Sequence, residues 1–228
     1  MDNFFLKDKW LSKILKKKTY TIINPKKKKL IYPKDSDFIF SKIDKKDQKT
    51  INYYLLNNFK KINTNIIFEK KINDKKKLNE ANLRNAKKED LKKIQSIAIK
   101  SLIKSRFNID KKIKKKDAVN IKKAWVNNFF QKKRGNALHV ILIKKEIVGF
   151  VLLLFNKKNL IIDLIALSKN QQNKGIGKIL INQLEFIYKN KFKKIIVGTQ
   201  SNNIQSIKFY KKVGFKKIRE FEVLHKHF

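Results

Sequence analysis

The stretch Ser168-Lys169-Asn170-Gln171-Gln172-Asn173-Lys174-Gly175-Ile176-Gly177-Lys178 decides how this chain is read. It follows an apolar run, Leu160 to Leu167, interrupted only by Asp163. It leads into Ile176, Ile179, Leu180, Leu184 and Ile187, spaced to line the inner face of a helix from Gly175 to Tyr188. A strand, a glycine-bearing loop and a helix mouth thus follow one another. The free amides at a helix start attract an anion, and the helix dipole adds to that attraction. Glycines at 175 and 177 let those amides come close to a phosphate, although a ligand-free tight turn would use the same two residues. No Gly-Lys-Ser/Thr follows at the spacing of a nucleoside-triphosphate loop, and the third glycine of a dinucleotide fingerprint is missing.

Working outward, glycine and proline divide the chain. All 6 glycines fall between Gly135 and Gly214, whereas the 2 prolines, Pro25 and Pro33, lie near the start. Residues 1–80 read as a small N-terminal α/β region. Its strands are Thr19–Asn24, Asp37–Ile43 and Ile62–Ile72, and its helix runs from Asp47 to Phe59 with Ile51, Tyr54, Leu55 and Phe59 on one face. Lys75–Glu80 reads as a charged linker. Residues 81–228 read as the main domain. An acidic start at Glu89-Asp90 opens a helix carrying Leu91, Ile94, Ala98 and Leu102. A loop at Ser105–Asp110, a helix at Asp117–Gln131 and a hairpin of Leu138–Ile143 with Ile147–Phe155 follow. After the glycine loop come a strand at Lys194–Thr199, a helix at Asn203–Val213 stopped by Gly214, and a last strand or hairpin at Ile218–Phe228.

Composition narrows the function. The 228 residues are 42% hydrophobic, enough for a core and unlike a disordered chain. With no cysteine and 3 histidines, neither thiolate chemistry nor a metal site is expected. No apolar run reaches a membrane span and no secretory signal opens the chain, so a soluble cytoplasmic protein without membrane insertion is the expectation. The net charge of +40 comes almost wholly from lysine spread along the chain; the arginines are Arg84, Arg106, Arg134 and Arg219. Base readout favours arginine at defined places, so the charge reads as a biased, solvated surface, with no specific nucleic acid as partner. The field still favours anionic substrates.

Two segments carry a family resemblance. Gln172-x-x-Gly175-x-Gly177 matches the pyrophosphate loop of the GNAT superfamily of acyl-coenzyme A-dependent N-acetyltransferases. Asn203-x-x-Ser206-x-x-Phe209-Tyr210-x-x-x-Gly214-Phe215 resembles the superfamily's next motif, with Ser206 where alanine is usual. Ser105-Arg106-Phe107, Ala124-Trp125-Val126 and Val197-Gly198-Thr199-Gln200 are similar to segments of the TDP-fucosamine acetyltransferases and their relatives, as is the closing Leu224-His225-Lys226-His227. The resemblance implies an α/β (α+β) GNAT fold, with a mixed central sheet splayed at the acetyl-CoA site. It implies acetyl transfer from acetyl-CoA to the amine of a nucleotide-linked 4-amino-4,6-dideoxy sugar, for cell-surface polysaccharide such as lipopolysaccharide. A GNAT acting on a protein N-terminus or lysine is the alternative, and a polyanion-binding protein with an inactive GNAT fold is the second. A homodimer is left open.

Attack of a neutral amine on a thioester needs positioned reactants, a polarised carbonyl and a proton for the leaving thiolate. The resemblance places the pyrophosphate on Gln172, Asn173, Lys174, Gly175, Ile176, Gly177 and Lys178. It places the pantetheine arm along backbone groups of Ile165, Ala166 and Leu167, where that strand splays from Lys194–Thr199. Tyr210 falls at the superfamily's general acid, and a phenol is protonated at neutral pH. Phe209 would line the cofactor channel; Asn203 would bond pantetheine, cap its helix, or both. Asp163 is either a satisfied structural acid or the base facing the acceptor amine, with Asp110 a weaker candidate. Arg106, Phe107 and Trp125 would shape the acceptor pocket or pack helices, and His225, on the same side of its strand as His227, would touch the acceptor or lie on the surface.

Overall fold

The computed structural model describes residues 4–26, 29–73 and 82–228; the linker expected at Lys75–Glu80 lies outside them. Its centre is a 10-stranded mixed sheet in the order β1-β2-β3-β10-β4-β9-β8-β7-β6-β5. The strands are β1 (Phe5–Lys7), β2 (Thr19–Ile22), β3 (Phe38–Asp44), β4 (Lys60–Lys71), β5 (Asn82–Asn85), β6 (Ala137–Ile143), β7 (Glu146–Asn156), β8 (Asn159–Leu167), β9 (Lys194–Gln200) and β10 (Lys216–His227). The last segment is one 12-residue strand, not a hairpin. β4, from early in the chain, lies between β9 and β10, and β10 runs between β4 and β3. The strands of residues 1–80 and those of 81–228 therefore share one sheet. A short ion pair from Lys70 on β4 to the fully buried Glu185, Nζ to Oε2 at 2.7 Å, ties β4 to the helix after the glycine loop.

Seven α-helices are described: α1 (Lys9–Leu15), α2 (Gln48–Leu56), α3 (Leu91–Ser101), α4 (Arg106–Ile109), α5 (Lys115–Phe130), α6 (Ile176–Tyr188) and α7 (Ile204–Lys212). Strand alternation sends successive side chains to opposite faces. On one face α3 and α5 cover β6–β8 through Ile94, Ala98, Val126, Phe150 and Leu164, while α1, α4 and α5 cover β3 through Leu11, Phe38, Phe107 and Ile121. On the other, α6 packs Ile176, Leu180 and Leu184 against Phe68, Leu160 and Val197, and α2 packs Ile51 and Tyr54 against Ile39 and Leu224.

Three local expectations change. Ser105–Asp110 holds the short helix α4 rather than a plain loop. Leu55 and Ile187, expected on inner faces, are 40% and 47% exposed, because Tyr54 and Tyr188 take the inward positions. The helix α1 escaped the sequence reading; its signal is Asp8, whose carboxylate caps the amide of Leu11. Among the described residues no helix is long and apolar enough to cross a membrane.

Candidate active site

The glycine loop forms as its sequence demands. Gly175 caps α6 with φ +80°, a left-handed conformation that other residues adopt only with strain. A side chain there would point into open space, where an anion over the helix mouth would lie. The amides of Asn173, Lys174, Gly175, Ile176 and Gly177 donate to no described residue, whereas Lys178 and Ile179 donate to the carbonyl of Gly175. Gly177 has a different reason: a Cβ would come within 2.9 Å of the Phe209 ring, so its smallness lets α7 close on α6. The Gln172 side chain turns back, donating to the carbonyl of Leu167 at 3.1 Å and accepting from Gln205 at 3.2 Å. Gln172 therefore anchors the loop to the end of β8 and to α7. Beside the loop, Lys93, Lys100 and Lys169 line a groove of about 330 Å³, so the approach is cationic.

The splay is equally plain. β8 and β9 pair in parallel from Asn159↔Lys194 only as far as Ile162↔Val197. Beyond that point, residues 163–167 of β8 keep β7 on one side and have an unpaired edge on the other. Ile165 and Ala166 lie along this edge. The carbonyl of Leu167 is already used, accepting from Ser101 Oγ at 2.7 Å and from Gln172. An amide-rich chain can extend the sheet here as a pseudo-strand.

Tyr210, on α7, is buried among Phe68, Phe209 and Phe215, and Gly214 at φ +92° turns the chain so that Phe215 folds back on it. Burial pushes its phenol above the ordinary value, so it stays protonated. Its hydroxyl has no hydrogen-bond partner among the described residues, leaving it able to donate to a ligand. Asn203 caps α7 by accepting from the amide of Ser206 at 3.3 Å.

The opposite face of the splay is built from side chains. The register slips between Leu152↔Leu164 and Leu153↔Ile162, leaving Asp163 unpaired as a β-bulge. The bulge aims its carboxylate at α5. Arg134 forks it at 2.7 and 2.8 Å, and the Trp125 indole donates to it at 3.1 Å. Of the two alternatives open for Asp163, the satisfied structural acid is the one these bonds describe. Trp125 packs edge-on to Trp10 of α1. Phe107 is buried as a helix-packing residue.

His225 is not at the surface: it is 1% exposed and both its ring nitrogens are engaged by Asp110 and Arg106, leaving neither for an acceptor. Asp110 Oδ2 accepts from His225 Nδ1–H at 2.6 Å and from His227 Nε2–H at 2.7 Å. That leaves His225 Nε2 to accept from Arg106 Nη1 at 3.2 Å. Burial pushes the His225 ring down to about 4, against the opposing Asp110 bond, so the ring is neutral at pH 7. For Asp110 burial works upward, but bonds from His225, His227 and the amide of Lys112 outweigh it and hold the carboxyl well below its usual range. These three side chains carry donor types that suit a metal, within 4.8 Å of one another. The two short contacts are narrower than the roughly 3.3 Å between donors around a tetrahedral zinc. An arginine also abuts the cluster, as fits a hydrogen-bonded network.

The sequence profile of the acetyltransferase (GNAT) family matches residues 99–215, just over half of the chain. The chain belongs to the GNAT family. Among curated relatives, this GNAT chain is 28% identical over 96 residues to the N-acetylaspartate synthetase of Xenopus tropicalis, covering 41% of the chain and 35% of that protein. It is 27% identical over 139 residues to the spore coat polysaccharide biosynthesis protein SpsD of Bacillus subtilis, covering 60% of the chain and 47% of that protein. The GNAT chain thus spans a third to a half of the length of these relatives. A functionally unknown conserved protein from Staphylococcus epidermidis superimposes on all of this chain and 92% of its own, with a TM-score of 0.66 at 11% identity, a likeness of fold.

Arg134, Ser101 and Gln205 went unassigned in the sequence reading. For Arg134 a signal existed: arginine is rare among so many lysines, and a planar fork onto a carboxylate is what lysine cannot supply.

Proposed function

We propose that this GNAT chain transfers an acetyl group from acetyl-CoA to the amine of a nucleotide-linked amino sugar of the 4-amino-4,6-dideoxyhexose type, in the making of cell-surface polysaccharide. The observation that carries the acyl-transfer half is the alignment of unused backbone groups: five free amides at the mouth of α6, next to the unpaired edge of β8. These fit a pyrophosphate followed by an amide-bearing arm. Acetyl-CoA, when bound, supplies the activated acyl carbon. The chain's own part is to hold the cofactor by main-chain atoms, shield it under α7 and present a protonated phenol. The acceptor amine attacks the thioester carbonyl, the carbon–sulfur bond breaks, and the Tyr210 proton goes to the departing thiolate, while the amine's proton passes to water.

The net charge of +40 favours a dianionic acceptor over a basic peptide. The segments shared with amino-sugar acetyltransferases and the similarity to a spore coat polysaccharide protein lean the same way. Steady-state assays with a dTDP-4-amino-4,6-dideoxyhexose, the free amino sugar and a lysine peptide test this reading. Turnover of the nucleotide sugar well above the other two is expected; preference for the peptide or the free sugar would overturn it.

A further inference from the structure

The four arginines are not used alike. Arg84 pairs with Asp90, Arg134 with Asp163 and Arg219 with Asp44. Arg106 has no carboxylate partner among the described residues. It lies with its guanidinium 4.0 Å from the Phe40 ring centre and 4.4 Å from that of Phe107, and its Nη1 is fixed by the neutral His225. A guanidinium held this way keeps its remaining N–H groups for a ligand.

Lys42 stands in the next row of the sheet. Phe40 pairs with His225 and Lys42 with Val223, so both side chains lie on the face covered by α4. Lys42 is exposed, yet no described carboxylate pairs with it. Crowding by protein atoms first, then Arg106 and Arg134, push its ammonium down to about 8, with Asp163 pulling the other way. The row continues across Val223 to Asn63 on β4. Asn63 is only 8% exposed, and neither its Oδ1 nor its Nδ2 has a hydrogen-bond partner among the described residues. An unpaired buried amide destabilises a fold unless something bonds to it.

We propose that Lys42, Arg106 and Asn63 form an oxyanion subsite that holds the diphosphate of the acceptor, on the sheet face opposite α6. Two of its three members come from β3 and β4, which gives the early strands a part in recognition. Lys42 and Arg106 supply positive charge that no described carboxylate pairs directly; the Asn63 amide, whose Nδ2 and Oδ1 are covered by neighbouring atoms, would donate through Nδ2 and accept a ligand hydroxyl through Oδ1 once those neighbours move aside. The proposal deepens the nucleotide-sugar reading and rests on it for the identity of the anion.

The test is a titration of inorganic pyrophosphate into the full chain saturated with acetyl-CoA, so that the α6 mouth is filled, at about 0.3 M salt to screen the general surface charge. One saturable site is expected, weakened at least tenfold in Lys42→Met and unchanged in Lys49→Met, an exposed lysine on α2 across the sheet. Asn63→Leu is expected to weaken pyrophosphate while holding or raising the melting temperature. Four results would overturn the proposal: no saturable site, equal affinity in Lys42→Met, an equal loss in Lys49→Met, or succinate binding tighter than pyrophosphate. An Asn63→Leu chain that melts lower with unchanged affinity would remove Asn63 from the site. Pyrophosphate binding needs no acceptor amine, so it can fail while nucleotide-sugar turnover succeeds, and the reverse.

Discussion

The two sides of the splayed sheet are made of different material. On the α6 side, the groups free for a ligand are main-chain amides and a strand edge, drawn from one short stretch of sequence, 163–177. On the α4–α5 side, the polar groups are side chains brought from β3, β4, β8, β10 and two helices, and most already bond one another. The main-chain side can hold the part of a ligand that never varies. The side-chain side can be retuned by single substitutions, and it is where acceptor choice would be written.

That contrast can be broken by substitution, beginning where the effect should be greatest. Gly175→Val forces a left-handed position onto a β-branched residue and fills the space over the helix mouth. Acetyl-CoA affinity should fall by about a hundredfold or more with the circular dichroism unchanged. A folded variant that binds within a fewfold of wild type would remove the loop from the account. Next, Tyr210→Phe should lower kcat by about two orders of magnitude while leaving the acetyl-CoA Kd unaltered. An undiminished kcat would end the general-acid assignment.

On the side-chain face, Asp163→Asn should act on stability more than on rate. Losing the charge under the Arg134 fork should lower Tm by about 5 °C, with kcat changing less than about tenfold. A hundredfold drop in kcat at constant Tm would instead make Asp163 the base. The smallest effect concerns pH. His225 takes a proton only near pH 4 in the folded chain but near its ordinary value of about 6.5 when unfolded, so the unfolded state binds protons first on acidification. Stability should be complete above about pH 6.5 and fall as the pH drops toward 4. Buried His139, also lowered, adds in the same sense. Melting curves across that range should show a shallower loss for His225→Gln; equal slopes would mean that the Asp110–His225–Arg106 network does not set the acid response.

Legibility in the sequence follows the same division. Gly175, Gly214 and Asn203 could be read because a left-handed turn or a cap admits few residue types, in a chain with 6 glycines. The splay could be read only through resemblance, since no local pattern says where parallel pairing stops. Asp163 announced itself by breaking an apolar run, but its partner on the loop after α5 could not be inferred, because bulge and loop meet only in the folded sheet. His225 misled: alternation put it with His227, as found, but not in the core, where Asp110 meets both rings. The placement of β4 between β9 and β10 was invisible, since strand order is set by long-range pairing and not by the strand's own residues.

In the proposed function, the main-chain side of the splay binds acetyl-CoA through its pyrophosphate and pantetheine together. Calorimetric titration of acetyl-CoA at about 0.3 M salt, against a polyphosphate nucleotide lacking pantetheine, addresses it directly. One site per chain is expected, with acetyl-CoA bound far more tightly than the control. Equal, weak and salt-sensitive binding of both would contradict it and leave only a basic surface.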